Sequence, residues 1–212
     1  MTHGIVPLKG IVYIAQGDNA RNQAQAAVKM LQRLGCDLPV AVIADQAIEG
    51  ACPIYCEDKA DDPGARWAKV HLYDLSPFDD TLYLDADTRA MSAEISVGFD
   101  VLDDGWELVI TPSNNQGDDW LWHVGAAERE ATETSFGGRV AVLQGGVFWF
   151  RRCDAVRGLF EAWADEWQRY QGQDQAALLR AMRRAPVKCY LLGRPFNGGS
   201  VVKHLFKWAR RE

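Results

Sequence analysis

The 212-residue chain contains no apolar run of the roughly 18 residues that a membrane-spanning helix needs. The segment Met1 to Gly10 holds a single Lys and no extended apolar stretch, so it does not read as a secretory signal. Cysteine is sparse and odd in number. Cys36, Cys52, Cys56, Cys153 and Cys189 suit free thiols in a reducing compartment better than a disulfide framework. Cys52 and Cys56 could form a loose metal pair, but no second Cys/His pair with zinc-like spacing follows. Positive charge is also short: 23 Lys and Arg stand against 29 Asp and Glu, a net charge of −6, which argues against a protein that coats nucleic acid. Internal repeats and low-complexity stretches are absent. What remains is an ordinary globular composition, with 48% hydrophobic and 25% charged residues, which excludes a disordered chain. The expected place is the cytoplasm of the source cell, or of a host cell infected by a virus. One residue type is abundant instead of scarce. There are 8 tryptophans, a side chain that counts for packing or for flat ligands.

Strand and helix patterns alternate along the chain. Gly10 to Ala15 is a short, β-branched apolar run, the pattern of a buried strand, broken by Gln16-Gly17-Asp18-Asn19. Ala24, Ala27, Val28, Leu31 and Leu34 then recur at helical spacing, and Gly35 sits where a helix C-cap belongs. Pro39 to Ala44 predicts a second buried strand ending at Asp45, which completes a strand–helix–strand crossover of the kind that builds parallel sheets. Residues 46–64 read as an irregular connection, and Arg66 to Tyr73 as helix. Further strands are expected at Thr81–Leu84, Glu107–Thr111, Val140–Phe150 and Val187–Leu192. Asp154 is expected to cap a helix with the apolar face Val156, Leu159, Phe160, Trp163, Trp167 and Tyr170, and another helix runs from near Asp174 to Arg184. The pattern predicts one three-layer α/β domain over residues 1–212 with a mostly parallel central sheet. From Gly193 the chain becomes a Gly-, Lys- and Arg-rich tail.

In such sheets ligands sit outside the carboxyl ends of the strands. Gln16-Gly17, Asp45 and Asp85/Asp87 fall there. On an extended segment residues i and i+2 share a side, so Asp85 and Asp87 can converge while Ala86 turns inward. Paired carboxylates repel unless a cation lies between them, and hard oxygen ligands suit Mg²⁺ or Mn²⁺. Taken alone, the pair reads first as two Asp residues that end a strand and start a turn.

The surrounding sequence narrows the choice. Ser76-Pro77-Phe78-Asp79-Asp80-Thr81-Leu82-Tyr83-Leu84-Asp85-Ala86-Asp87-Thr88 closely resembles the nucleotide-sugar-binding segment of A-type-fold glycosyltransferases, particularly family 8. Val12-Tyr13-Ile14-Ala15-Gln16-Gly17 resembles that family's base- and ribose-binding start. Gln144-Gly145-Gly146-Val147-Phe148 is similar to its Asn-x-Gly strand, Gln173-Asp174-Gln175 to its Asp-Gln segment, Pro195-Phe196-Asn197 to its late Asn turn, and Val201-Val202-Lys203-His204 to its closing His segment. The resemblance spans residues 11 to about 207, nearly the whole chain.

It implies a three-layer α/β/α, Rossmann-like nucleotide-diphospho-sugar transferase fold. It also implies a metal-dependent enzyme that takes a nucleotide-diphosphate sugar, most often a UDP-sugar, with Mn²⁺ or Mg²⁺. Carried over residue by residue, Asp85, Asp87 and His204 would be the metal ligands. Ala15, Gln16, Gly17, Arg66, Lys69, Asp85, Ala86, Asp87, Gln175, Lys203 and Lys207 would contact the donor. Asp174 and Gln144 would be the catalytic candidates beside the sugar. The tail from Gly193 would close over the donor. Two departures stand out. Gln144 replaces the usual Asn, and the residues after His204 lack the family's Gly and Pro, so a surface histidine is an equal alternative there. Resemblance to family 8 favours a retaining reaction. An inverting one would need a carboxylate base, for which Asp118, Asp119 and Asp174 are candidates.

Two other readings compete. Asp85-Ala86-Asp87-Thr88 also fits the Asp-x-Asp-x-Thr string of haloacid-dehalogenase-like phosphatases, with Lys188 as the lysine, although no Asp follows Lys188. A non-catalytic protein that binds a nucleotide-sugar or glycan is the other. Thr111 to His123 is the expected acceptor loop, facing a glycan, a protein or a nucleobase, with Trp120 and Trp122 placed to stack on a ring. Trp149, Trp163 and Trp167 are expected in the core, and Trp208 beside the donor diphosphate. The Arg clusters, Arg180, Arg183 and Arg184 among them, read as solvated helix faces.

Overall fold

The computed structural model describes residues 8–55, 64–114 and 116–205. In chain order its strands are β1 (Lys9–Ala15), β2 (Val40–Ala44), β3 (Cys52–Tyr55), β4 (Asp80–Asp85), β5 (Thr88–Ala90), β6 (Leu108–Pro112), β7 (Leu143–Arg151), β8 (Cys189–Leu191) and β9 (Val202–His204). The helices are α1 (Gly17–Arg33), α2 (Ala65–Val70), α3 (Leu72–Leu75), α4 (Val97–Asp103), α5 (Ala126–Phe136), α6 (Asp154–Gln168) and α7 (Asp174–Arg184). Short 3-10 turns lie at Ala93–Ser96, Gly117–Asp119 and Arg194–Phe196.

The main sheet has seven strands in the order β3-β2-β1-β4-β7-β6-β8, and β5 and β9 form a separate two-stranded ribbon. Every pairing in the main sheet is parallel except those of β7, which runs antiparallel to both β4 and β6. Its central strands are buried on both faces, which is why they read as continuous apolar runs and not as alternating ones. Alternation appears instead as two cores. Val12, Ile14, Tyr83, Phe148 and Phe150 join Phe160, Trp163 and Trp167 on one face. Ile11, Tyr13, Leu82, Leu84 and Trp149 join Val28, Leu31 and Phe99 on the other. Odd and even strand residues thus feed opposite layers, and the three-layer α/β/α arrangement follows.

The expected elements recur, with corrections. Residues 46–64 are not wholly irregular, because β3 forms at the sheet edge; an edge strand tolerates Pro53, which cannot donate to a ladder. The Arg66–Tyr73 helix is two short helices, α2 and α3. Asp154 does not cap α6. It is the first helical residue, and Cys153 holds the cap position without a side-chain bond. Tyr170 lies beyond α6 and is half-exposed, so it leaves the apolar face. Arg180 is not a solvated residue but is 6% exposed. Its Nε donates to Glu166 Oε2 at 2.9 Å, its Nη2 to Glu128 Oε1 at 2.9 Å and its Nη1 to Thr132 Oγ1 at 2.6 Å, tying α5, α6 and α7 together. Burial alone would raise the Glu166 pKa, but Arg180 and Arg184 outweigh it and hold the group below the usual glutamate range. At Glu128 burial prevails over Arg180, and the pKa is raised.

Strand order reverses between β1 and β4: the chain builds outward through β2 and β3 and then returns to the other side of β1. Sheets of this kind bind ligands at such a reversal, outside the carboxyl ends. Because β7 is antiparallel, its first residues reach the same edge at which β4 ends.

Candidate functional site

Asp85 is the last residue of β4, and Asp87 lies two residues on, in the turn before β5. Thr88 Oγ1 donates to the Asp85 carbonyl at 2.7 Å and closes that turn. β5 pairs antiparallel with β9, with Thr88 opposite His204, and Leu205 N donates to the Asp87 carbonyl at 2.9 Å. This ribbon carries the end of the described chain to the acidic turn. His204 is therefore not a surface residue: it is buried, with Nε2 3.0 Å from Asp87 Oδ1 and 3.9 Å from Asp85 Oδ2. Ligand atoms of Asp85, Asp87 and His204 all lie within 4.8 Å of one another. Two carboxylates and an imidazole make a donor set that fits Mn²⁺ or Mg²⁺. Burial would raise the Asp87 pKa, but the His204 N–H beside it dominates and holds it below the usual aspartate range.

The strand opposite makes room for this set. A Cβ on Gly146 would land on Asp85 Oδ2 and lie 2.8 Å from His204 Cε1. A Cβ on Gly145 would lie 2.8 Å from Asp174 Oδ2. The two glycines of β7 thus serve close approach. Gly146→Ala should keep the fold at a cost of about 1–3 kcal/mol and weaken Mn²⁺ binding by at least about tenfold. Calorimetric titration alongside urea denaturation checks both.

Lys69, on α2, is buried beneath the cluster. Its Nζ lies 2.9 Å from Asp85 Oδ1, 3.0 Å from Asp174 Oδ2 and 5.2 Å from the Tyr83 ring centre. Burial opposes its charge, but Asp174 and Asp85 outweigh that and hold the pKa well above the ordinary lysine value. Tyr83 donates its hydroxyl to Asp85 Oδ1 at 2.7 Å, and its own pKa is pushed up by burial first and by Asp85 next. Asp174 is the first residue of α7, after Gln173 at the cap. A second chain of contacts reaches His204: Gln175 Nε2 lies 2.7 Å from Gln144 Oε1, and Gln144 Nε2 lies 3.1 Å from His204 Nδ1.

No protein-family model matches the chain, and no curated protein matches it. Solved structures do. The chain is similar to galactosyltransferase LgtC in complex with donor and acceptor sugar analogs, with 14% identity over 95% of this chain and 81% of that one and a TM-score of 0.59. It is also similar to mouse xyloside xylosyltransferase 1 (10% identity, 88% of this chain and 85% of that one, TM-score 0.55). A third likeness is to core-mannan synthase A from Aspergillus fumigatus in an Mn/GDP form (11% identity, 91% and 74%, TM-score 0.56). The chain has the A-type glycosyltransferase fold.

Within this glycosyltransferase fold, the remaining sequence candidates separate. Ala15 ends β1 and is buried, and Gly17 opens α1 with φ +79°. Gln16 sits at the cap position of α1, and its buried Oε1 finds no hydrogen-bond partner among the described residues. Arg66 is exposed and donates through Nη2 to Gln173 Oε1 at 3.0 Å. Ala86 packs against the core on the α1 side. Lys203 is exposed on β9 between buried Val202 and His204, so its side chain leaves on the opposite side of the strand from His204. Lys207 and Trp208 lie outside the described residues. Asp45, after β2, is ion-paired to Arg21, whose hydrogen bond holds its pKa low. Asp118 is exposed in the 3-10 turn Gly117–Asp119 and is not part of the Asp85/Asp87/His204 group.

Trp120 does not stack on a ligand. It is 3% exposed, and its Nε1 donates to the Val140 carbonyl at 2.7 Å, so the indole packs the core. Trp122 is 58% exposed and remains open to a ring. Trp122→Ala should therefore change stability by less than about 0.5 kcal/mol, which thermal unfolding would show. Lys188 precedes β8, which is parallel to β6 and hence to β4. It stands at the opposite edge of the sheet from Asp85 and cannot serve as the lysine of a phosphatase built on that residue.

Sequence reasoning missed Tyr83 as an Asp85 partner and did not foresee the Gln144–His204 contact. The Tyr83 signal was available, since residues i and i+2 of a strand share a face. Among the described residues no helix is long and apolar enough to cross a membrane.

Proposed function

We propose that the protein is a metal-dependent glycosyltransferase that moves a sugar from a nucleotide-diphosphate donor, a UDP-sugar in our reading, to a hydroxyl acceptor with retention at the anomeric carbon. The observation that carries this is the convergence of Asp85, Asp87 and His204 at the carboxyl edge of an A-type fold. Those three side chains would hold Mn²⁺ or Mg²⁺, and the cation would neutralise charge on the departing diphosphate without proton transfer.

The other roles belong to the chain's own residues. Lys69 balances Asp85 and Asp174, so that the acidic floor stays ordered before the donor arrives. Gln16, with its unpartnered carbonyl oxygen, and the adjoining Ala15-Gly17 turn meet the base and ribose. Arg66 supplies positive charge toward the phosphates, and Lys207 is taken to do the same, whereas Lys203 leaves β9 on the side away from His204 and adds charge only at a distance. Asp174, Gln175 and Gln144 line the sugar side. Retention is supported by the commitment of Asp174 to Lys69, 3.0 Å away, which ties that carboxylate into the buried floor instead of leaving it free to face an acceptor hydroxyl. We take residues 1–212 as one catalytic domain whose segment from Gly193 covers the donor, and the free Cys36, Cys52, Cys153 and Cys189 as fitting a cytoplasmic setting.

A thermal-shift screen of UDP-, GDP- and other nucleotide-sugars, with and without Mn²⁺, tests the proposal. A UDP-sugar should raise the melting temperature only when Mn²⁺ is present. Absence of any donor-dependent shift would contradict it. A metal-dependent shift without hydrolysis or transfer would support the non-catalytic binder instead.

A further inference from the structure

The segment between β6 and α5 carries a chemistry of its own: we propose that the acceptor is an uncharged saccharide and that Trp122 is the platform on which one of its rings lies. The inference rests on the glycosyltransferase reading of the site and adds the substrate class on its acceptor side.

β6 is antiparallel to β7, and β7 to β4, so β6 ends at the same sheet edge as β4. The segment 113–125 leaves β6 at that edge and is pinned at several points. Ser113 N donates to the Val142 carbonyl at 2.7 Å. The Gln116 side chain closes on the same residue: its Nε2 donates to the Val142 carbonyl at 2.8 Å, and its Oε1 accepts from Val142 N at 3.0 Å. Trp120 is sunk in the core, and Leu121 beside it is fully buried. Leu121 has φ +49°, a left-handed conformation uncommon for its residue type, and its carbonyl accepts from Val124 N at 2.9 Å. Such a conformation persists only where its surroundings hold it, and it recurs at ligand-binding segments. With Trp120 and Leu121 turned inward, Trp122 is turned outward. It is the most exposed large apolar side chain among the described residues. His123 meets it edge-on, with ring centres 5.6 Å apart and planes at 72°. An indole displayed on a pinned turn loses little freedom when a ligand arrives.

The far end of the segment runs into α5, whose Glu128 packs on the turn before Asp174: a Cβ on Gly172 would lie 3.1 Å from Glu128 Oε2. The Trp122 segment and the turn that carries Gln173 and Asp174 thus form one continuous wall. The surroundings of the indole select the ligand. A pyranose has a face of C–H bonds, which lies on the electron-rich face of an aromatic ring, and a rim of hydroxyls, which amides and carboxylates meet. Asn114 and Asp118 are exposed on this segment. Residues 113–125 include Asp118 and Asp119 and no Lys or Arg. Of the cations that approach, Arg139 faces Glu133 and the Gly117 carbonyl, and Arg180 is held by Glu128 and Glu166. A phosphorylated or carboxylated acceptor would be repelled by this acidic segment. A protein partner would need several apolar anchors across roughly 1,000 Å². In the chain, Trp122 stands instead between exposed Gln116, Gly117 and Asp118 on one side and exposed Gly125, Ala126 and Ala127 on the other. One neutral ring fits that patch. In transfer, a hydroxyl oxygen of the saccharide bonds to the anomeric carbon. The bond from that carbon to the diphosphate breaks with its electron pair on the diphosphate oxygen, and the hydroxyl proton passes to the released diphosphate.

Ligand-observed NMR titration, which reads weak binding, tests this with defined probes. Methyl glycosides of glucose, galactose, mannose and xylose, and lactose, are each added to the protein alone and again with UDP and Mn²⁺. At least one should bind. Trp122→Ala should weaken that binding by about tenfold or more, and Trp122→Tyr, which keeps a flat ring, should retain most of it. Sialyllactose, which adds a carboxylate to lactose, should bind more weakly than lactose does.

Equal glycoside binding by Trp122→Ala and wild type overturns the proposal. So does an absence of binding by every glycoside in both conditions, or tighter binding of sialyllactose than of lactose. A Trp122-dependent response to adenosine or to a tyrosine-containing peptide, with none to a glycoside, also overturns it and makes the acceptor a nucleobase or a protein. Failure of UDP to bind, while a glycoside still binds through Trp122, would instead overturn the donor reading and leave a saccharide-binding protein.

Discussion

Asp87→Ala should lower Mn²⁺ affinity at least about 100-fold and abolish metal-dependent donor binding, while the protein stays folded. Even partners one step behind a ligand are worth about 10–100-fold in metal affinity, so loss of a ligand should reach or exceed the top of that range. The fold should survive because the Asp87 backbone, not its side chain, holds the ribbon: the Asp87 carbonyl accepts from Leu205 N, and β5 pairs with β9 through main-chain bonds. What the substitution removes is the 3.0 Å contact with His204 Nε2, a bond worth about 1.5–3 kcal/mol where a charge takes part, and less here because the Asp87 side chain is 30% exposed. Mn²⁺ titration by calorimetry together with circular dichroism reads both outcomes. Unchanged metal affinity would remove Asp87 from the ligand set.

Lys69→Met should cost about 3–5 kcal/mol of stability, the usual result of taking one partner from a buried ionic cluster. The side chains of Lys69 and Asp174 are each 10% exposed, and Asp85 is 27% exposed. Without the ammonium that bridges them, the Asp85 and Asp174 carboxylates have no cation between them, and they repel. Tyr83 would still donate to Asp85 Oδ1, which does not replace a charge. The loss should shrink when Asp174→Asn is present as well, because one of the stranded charges is then gone. Urea denaturation of the two single variants and the double variant measures the coupling. A cost below about 1 kcal/mol for Lys69→Met would mean that the site is wetter than its burial indicates.

What could be read in the sequence follows from where each signal lives. β1, α1 and β2 were legible because their apolar residues are consecutive in strands and at helical spacing in the helix, and because they are neighbours in the chain. The turn Asp85-Ala86-Asp87 was legible because both carboxylates belong to one short segment. β3 was hidden by Pro53, and α5 by its own chemistry. The buried face of α5 is made of Glu128 and Thr132, which Arg180 satisfies from α7, so no apolar period marks it. β5 and β9 are three residues each, too short to show a period, and each exists because of the other. The site divides in the same way. Ligand types could be named from the segments, but Lys69 between Asp85 and Asp174, and Gln144 between Gln175 and His204, join α2, β4, β7, α7 and β9. Only folding brings those together. Trp120 shows the opposite error: a polar loop suggested a ligand ring, yet the indole reaches the Val140 carbonyl and the core.

The direct test of the account is calorimetric titration of UDP into the wild-type protein with Mn²⁺ and again after chelation. Binding should be at least about tenfold tighter with Mn²⁺, since a cation held by Asp85, Asp87 and His204 would bridge the protein to the diphosphate. Equal affinity in the two titrations, or none in either, would contradict it.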